Sequence, residues 1–388
     1  MNKRNRLKWR TRLAIAAGIL AVLVAGGLLG WRMLVAYFQR QYYRETCAPT
    51  ELAAGDIGDY PAKHRLDDVP WFATEGTYCQ SNSLQMIAAQ KGIQESRAYF
   101  DFLMGFTYGV AEVPGEPGFL PFTDPESGFV FAAPYLGLVR RYTVTDDGAL
   151  YLDALRYSLS QGYPVRVALD VAVLYDLERP LPHSEVLVGY DGSGFTYYET
   201  VCMPGFPCQP GHLPPGAEGL WVSDQELLQA VLGQARMFSY PWRYSLSIFE
   251  AGPVEDDLGP VWARNGRSLI GGAQYGPRQG ADAIAGLADT IEERGTRVDL
   301  SEVHWGLEAA VYTRRSNATY LRSSFASQPD LGRAADLFDQ AAEAYAQALA
   351  ASEDGIAAQA EANQVAALLR DAAAAEREAG EILLARGQ

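Results

Sequence analysis

A cysteine at the mouth of a helix, with a histidine and a carboxylate at the two ends of a distant β-hairpin, can move an acyl group. A thiol becomes a useful nucleophile when its pKa is lowered, and a helix N-terminus with an imidazole partner does this. Cys79 stands at such a place, in Gly76-Thr77-Tyr78-Cys79-Gln80-Ser81-Asn82-Ser83. His183 heads a strand reading HSEVLVGYD, and Glu199 closes the following FTYYE run, sixteen residues on. Two antiparallel strands joined by Asp191-Gly192-Ser193-Gly194 would bring that acid beside the histidine, to orient the imidazole and stabilise its cation. The triad read from the chain is Cys79, His183 and Glu199. Each member also has a plainer reading: Cys79 as a buried cysteine or one bridged to Cys47, His183 as a strand terminus, Glu199 as a solvated strand end.

The elements that must position these residues are legible from pattern. A helix opening at Thr77 carries apolar Leu84, Met86, Ile87 and Ala88 and stops at Lys91-Gly92. A second helix covers Leu152 to Leu159, before Gln161-Gly162. Strands are predicted over Val165 to Leu169, Ser184 to Tyr190, Phe195 to Glu199 and Arg243 to Phe249. Ser223, with Glu226 three residues on, forms a capping box for a helix through Val231. Residues 251 to about 281 are rich in glycine and proline and read as loop, their glycines as turns. The Ala-rich remainder predicts helices over Ala283 to Glu293, His304 to Ser324, Leu331 to Ala351 and Gly355 to Arg386, the last two an antiparallel hairpin. Asn317-Ala318-Thr319 is a formal glycosylation sequon.

The net charge of −15 is the sum of two unlike parts. The first twelve residues hold six basic side chains and no acid, so the rest carries −21. That acidity argues against nucleic-acid binding. Leu13 to Trp31 is free of charge, and nineteen helical residues span roughly 28 Å, enough to cross a bilayer core. With the basic flank inside, the bulk of the chain is expected outside the cytoplasm. A cleaved signal peptide is the rival reading, given Val24-Ala25-Gly26, although the apolar character continues through Met33, Leu34, Tyr37 and Phe38. An extracytoplasmic setting permits disulfides, and Cys202 and Cys208 close a tight Pro/Gly loop whose ends can meet. Four histidines and no Cys/His ligand spacing leave no metal or cofactor site expected.

Several stretches together resemble the N-terminal domain of the butirosin biosynthesis protein H family, a papain-like fold similar to the C39 peptidases. They are YCQSNSLQMIAAQKGIQES, FLMGFTYGV, LRYSLSQGYPVRVALD, HSEVLVGYDGSGFTYYE and LWVSDQELLQAV, in the family's order and covering about residues 70 to 250. RNGRSLIGG, GADAIAGLADTIEE and RRSNATYLRSSFASQPDLGRAADLF match the helical region that accompanies that domain more weakly. The resemblance implies Cys79 as nucleophile and His183 as base. Two departures stand out. Ala73 occupies the place of the C39 glutamine six residues before the cysteine, so an oxyanion would need Gln80 or Thr77 beside the Cys79 backbone N–H. Glu199 stands where the family has aspartate or asparagine.

The expected architecture is α+β: a basic stub, transmembrane helix and juxtamembrane segment over residues 1–50, a papain-like domain over 51–250, a linker and first C-terminal helices over 251–325, and an Ala-rich helical hairpin over 326–388. The expected function is acyl transfer or hydrolysis at an amide, peptide or thioester by a membrane-anchored enzyme facing outward. The alternatives are a non-catalytic papain-like scaffold, or an envelope protein whose C-terminal helices bind a protein partner.

Overall fold

The structure, a computed structural model, describes residues 26–388 except 28, 32, 35–36, 39, 73, 76–77, 106–110, 113–118, 121–125, 203–205, 208–218, 272–277 and 299. Most of the expected transmembrane segment therefore lies outside the described residues, as do Thr77, Ala73 and Cys208. Among the described residues no helix is long and apolar enough to cross a membrane.

Nine strands build the sheet system around the site: β1 (Thr50–Glu51), β2 (His64–Arg65), β6 (Leu138–Thr145), β7 (Val165–Asp170), β8 (Pro182–Tyr190), β9 (Gly194–Tyr198), β10 (Val201–Cys202), β11 (Leu220–Ser223) and β12 (Tyr244–Ala251). Eight of them form one mixed sheet in the order β1-β6-β12-β7-β8-β9-β11, with β2 also paired to β8. β10 instead pairs in parallel with β3 (Thr74–Glu75), and the short strands β4 (Ala111–Glu112) and β5 (Phe119–Leu120) pair with each other. Strand β8 is central, and from His183 onward every residue of it is buried. Such a strand has neighbours on both faces, so even its polar residues leave water.

Helix α1 (Cys79–Gln90) packs on β8 and buries Leu84, Met86, Ile87 and Ala88 completely. It begins two residues after the expected Thr77 start. Gly92, at φ +83°, supplies the left-handed residue that lets the chain turn away after this helix. The second expected helix forms as Gly148–Ser160, longer at its start because Asp147 caps it by accepting from the N–H groups of Ala149 and Leu150. The capping box at Ser223 and Glu226 forms and opens the helix Asp224–Met237. The sequence pattern overlooked β6, the helix α2 (Arg97–Met104) and a short helix over Ser127–Ala132.

Residues 251–281 were expected to be loop, but Gly259–Ile270 is a helix. Pro260 suits its first turn, and Val261, Trp262 and Leu269 are buried along it. Its Gly266 is a contact point rather than a turn: a Cβ there would lie 2.6 Å from the carbonyl oxygen of Gly380, on the last helix. The C-terminal region is helical, with Gly280–Arg294, Ser301–Ser324, Pro329–Ala350 and Gln359–Arg386. The last helix starts at Gln359 rather than Gly355, which takes φ +85° in the connection. Inside this bundle Arg314 donates to both oxygens of Glu376, at 2.7 and 3.0 Å, and the Tyr345 hydroxyl donates to the same carboxylate at 2.7 Å.

One apolar core runs from Leu66 through the sheet to Leu383 in the last helix, so helical region and sheet share an interior. Ser316 donates to the buried Asp101 carboxylate at 2.7 Å, tying the Ser301–Ser324 helix to α2. Asn317, in that helix, is fully buried, which closes its sequon to glycosylation. A smaller aromatic cluster joins Tyr43 and Cys47, at the end of the helical residues 40–47, to Tyr142, Val144 and Trp242 at the sheet edge.

Candidate active site

β8 and β9 are the hairpin the sequence predicts. At its turn Asp191 Oδ1 accepts from the N–H of Ser193 at 2.8 Å and of Gly194 at 3.1 Å. Near the turn Tyr190 faces Phe195 and Gly189 faces Thr196, whereas further along Leu187 faces Tyr197 and Val186 faces Tyr198. The shift is a β-bulge at Val188, and one extra residue changes which face the following residues meet. Continued by one residue, the register sets Glu199 opposite Glu185, on the face that His183 shares with Glu185 two residues along the strand. Without the bulge Glu199 would meet Val186 and point the other way.

His183 Nε2 lies 2.8 Å from Glu199 Oε1, and both side chains are buried. The same carboxylate oxygen accepts from the backbone N–H groups of Thr200 at 2.8 Å and Val201 at 3.0 Å, while the Tyr175 hydroxyl donates to Oε2. Burial would raise the pKa of Glu199, but the His183 charge and these hydrogen bonds hold it below the usual carboxylate range. Glu199 is therefore an anion and Nε2 carries the proton between them. Burial likewise opposes charge on His183, yet the ionised Glu199 above all, with the Glu185 carboxyl and the Cys79 thiol nearby, lifts it well above the ordinary imidazole range. Cys79, partly buried at the first turn of α1, lies close enough to the imidazole to act on its charge. Phe206 covers the ring edge-on, with centroids 5.3 Å apart.

The frame is tied from α1 to the far end of the hairpin. Asn82 Nδ2 donates to the Thr200 carbonyl at 2.6 Å, and the Ser83 hydroxyl lies 2.9 Å from that of Ser184. Thr200 Oγ1 donates to the Ser184 carbonyl at 2.8 Å, and Trp71 Nε1 to the Glu199 carbonyl at 2.9 Å.

The three side chains read as a triad thus lie together. Neither Cys79 nor Cys47 is in a disulfide, so the bridge between them is not formed. Of the oxyanion donors, Thr77 is outside the described residues, and Gln80 turns its Oε1 into a buried spot beside Gly128 with no partner there among the described residues. Cys202 is buried at the end of β10, and the expected partner Cys208 lies outside the described residues. No protein-family model and no curated protein matches this chain.

The sequence reading missed Glu185, Tyr175, Thr200 and Asn82. Glu185 is fully buried with its Oε1 3.3 Å from His183 Nε2. Burial and the neighbouring Glu199 charge raise its pKa well above the usual carboxylate range. The nearest ligand atoms of His183, Glu185 and Glu199 fall within 4.8 Å of one another. Glu199 Oε1 already lies within hydrogen-bond distance of His183 Nε2 and accepts from two backbone N–H groups, so a cation at that oxygen would compete with three contacts.

Proposed function

We propose that the protein is a membrane-anchored, extracytoplasmic, papain-like cysteine enzyme similar to the butirosin protein H and C39 families, transferring or hydrolysing an acyl group. The observation that carries this reading is the grouping of Cys79, His183 and the buried, ionised Glu199, with His183 Nε2 2.8 Å from Glu199 Oε1. His183 takes the Cys79 proton, and the thiolate attacks the carbonyl carbon of an amide, peptide or thioester. The new C–S bond is retained as the leaving group departs with the proton from His183. Water or an amine, deprotonated by His183, then attacks the acyl-enzyme, and the Cys79 thiolate leaves. Glu199 keeps the imidazole oriented and compensates its positive charge throughout.

The membrane placement rests on the uncharged run from Leu13 to Trp31 behind its basic flank, and on exposed Leu29, Trp31, Met33, Leu34, Tyr37 and Phe38 continuing the apolar surface. Ala73, in place of the C39 glutamine, favours the second reading, a non-catalytic scaffold.

Mass spectrometry of the intact protein treated with a small thioester separates the two. The enzyme reading expects an acyl adduct on Cys79 that is absent in Cys79→Ala and fails to form in His183→Ala. An adduct that persists in Cys79→Ala, or no adduct in the folded wild-type protein, overturns it.

A further inference from the structure

A second carboxyl group beside a catalytic imidazole calls for an explanation, because two anions there would hold the imidazolium too firmly for it to give its proton back. Glu185 Oε1 lies 3.3 Å from His183 Nε2, across the hairpin from Glu199. It is fully buried, and neither of its oxygens has a well-formed hydrogen bond. An ionised carboxylate in that condition would be far more costly than a neutral acid.

The charged and titratable groups around it are few. His183 shares its strand, Glu199 and Tyr197 come from the β9 side, Tyr175 from the short helix Ala172–Tyr175, and Cys79 reaches it through His183. On β7 the residues level with Glu185 and His183 are the apolar Val167 and Leu169. The nearest cation on that strand, Arg166, is engaged by Glu126 at 2.6 Å. Among the described residues, and apart from His183 itself, no positive group is placed to favour an ionised Glu185.

We propose that Glu185 is a positioning residue of the site, a carboxylic acid kept neutral beside His183 so that the imidazole faces one negative charge, that of Glu199, rather than two. The imidazolium, Glu199 and neutral Glu185 together carry no net charge, which suits a buried cluster. When Glu185 loses its proton at alkaline pH, the second anion holds the imidazolium and stops His183 from acting as an acid. The inference rests on the acyl-transfer reading of Cys79, His183 and Glu199.

Two measurements on the full chain test it. Infrared spectroscopy at pH 7 should find the carbonyl stretch of a protonated, buried carboxylic acid that is lost in Glu185→Gln and kept in Glu199→Gln. In NMR titrations of the four histidine rings, the His183 imidazolium should lose its proton at lower pH in Glu185→Gln than in the wild type.

A wild type without the acid band, an unmoved His183 titration, or a stoichiometric metal ion lost on Glu185→Gln would overturn the proposal. The infrared band does not depend on whether Cys79 reacts, so a failure here is distinct from a failure of the enzyme reading. If Glu185→Gln does not fold, the band in the wild type and its persistence in Glu199→Gln still decide.

Discussion

The Glu199 carboxylate meets His183 Nε2 at 2.8 Å and is held there by the next two backbone N–H groups, those of Thr200 and Val201. The acid is thus fixed by its own chain immediately beyond the strand. Glu199→Gln keeps the size but removes the charge that favours the imidazolium. Iodoacetamide alkylation of Cys79 at pH 7 should slow by at least about tenfold, and His183→Ala, which removes the base, should lower acyl transfer by about 10²–10⁴-fold.

Stability should carry the mark of the same pair. The folded pKa of His183 is raised, so its contribution is complete below the ordinary imidazole value of 6.5 and is lost as pH climbs through the raised one. Glu199 is lowered, so its contribution is present above the ordinary 4.5 and is lost as pH falls through the depressed value. The Tm gap between wild type and His183→Gln should therefore be widest between about pH 4.5 and 6.5 and close on the alkaline side.

Glu185 acts with the opposite sign. Its raised pKa means that the folded chain keeps a proton which the unfolded chain releases above 4.5, so this residue costs stability as pH rises. Thermal melts of Glu185→Gln should show it gaining on the wild type between pH 4 and pH 8. A constant offset between the two would contradict a neutral Glu185.

Asn82 joins the cysteine helix to the end of the hairpin through the Thr200 carbonyl. Removing it leaves that buried carbonyl without its donor, so Asn82→Ala should cost about 1–3 kcal/mol in denaturant unfolding. It should also slow Cys79 alkylation, because helix and hairpin then hold Cys79 and His183 less firmly.

Arg314 and Glu376 offer a control far from the chemistry in sequence. Both are fully buried, so Arg314→Ala alone strands a carboxylate and should cost about 3–5 kcal/mol. Replacing the pair by Met and Leu should recover most of that loss, with Cys79 alkylation unchanged in the folded protein.

Much of this arrangement was legible because short-range signals agree. The turn at Asp191, the capping box at Ser223 and the cysteine before Leu84, Met86 and Ile87 each announce an element, and chain order then brings Cys79, His183 and Glu199 together. Glu185 was overlooked because a glutamate two residues into a strand resembles a solvated position. Its neighbours Val186, Leu187 and Val188 are apolar without alternation, the pattern of a strand covered on both faces, and that signal could have placed it inside. The helix Gly259–Ile270 was hidden by glycine and proline, whose role there is decided by a neighbour more than a hundred residues away. Strand β6 carries Arg140 and Arg141 among its apolar residues, and Arg140 sits in the interior because Glu126, distant from it in the strand pattern, receives it.

The bulge at Val188 makes the site depend on whether a count is odd or even. Deleting one residue between the bulge and Glu199 would send the acid to the opposite side of the sheet while leaving both strands intact, whereas a compensating insertion in the same arm would return it. Over evolutionary time this hairpin should therefore tolerate exchanges of side chains far more readily than any single-residue change in its length.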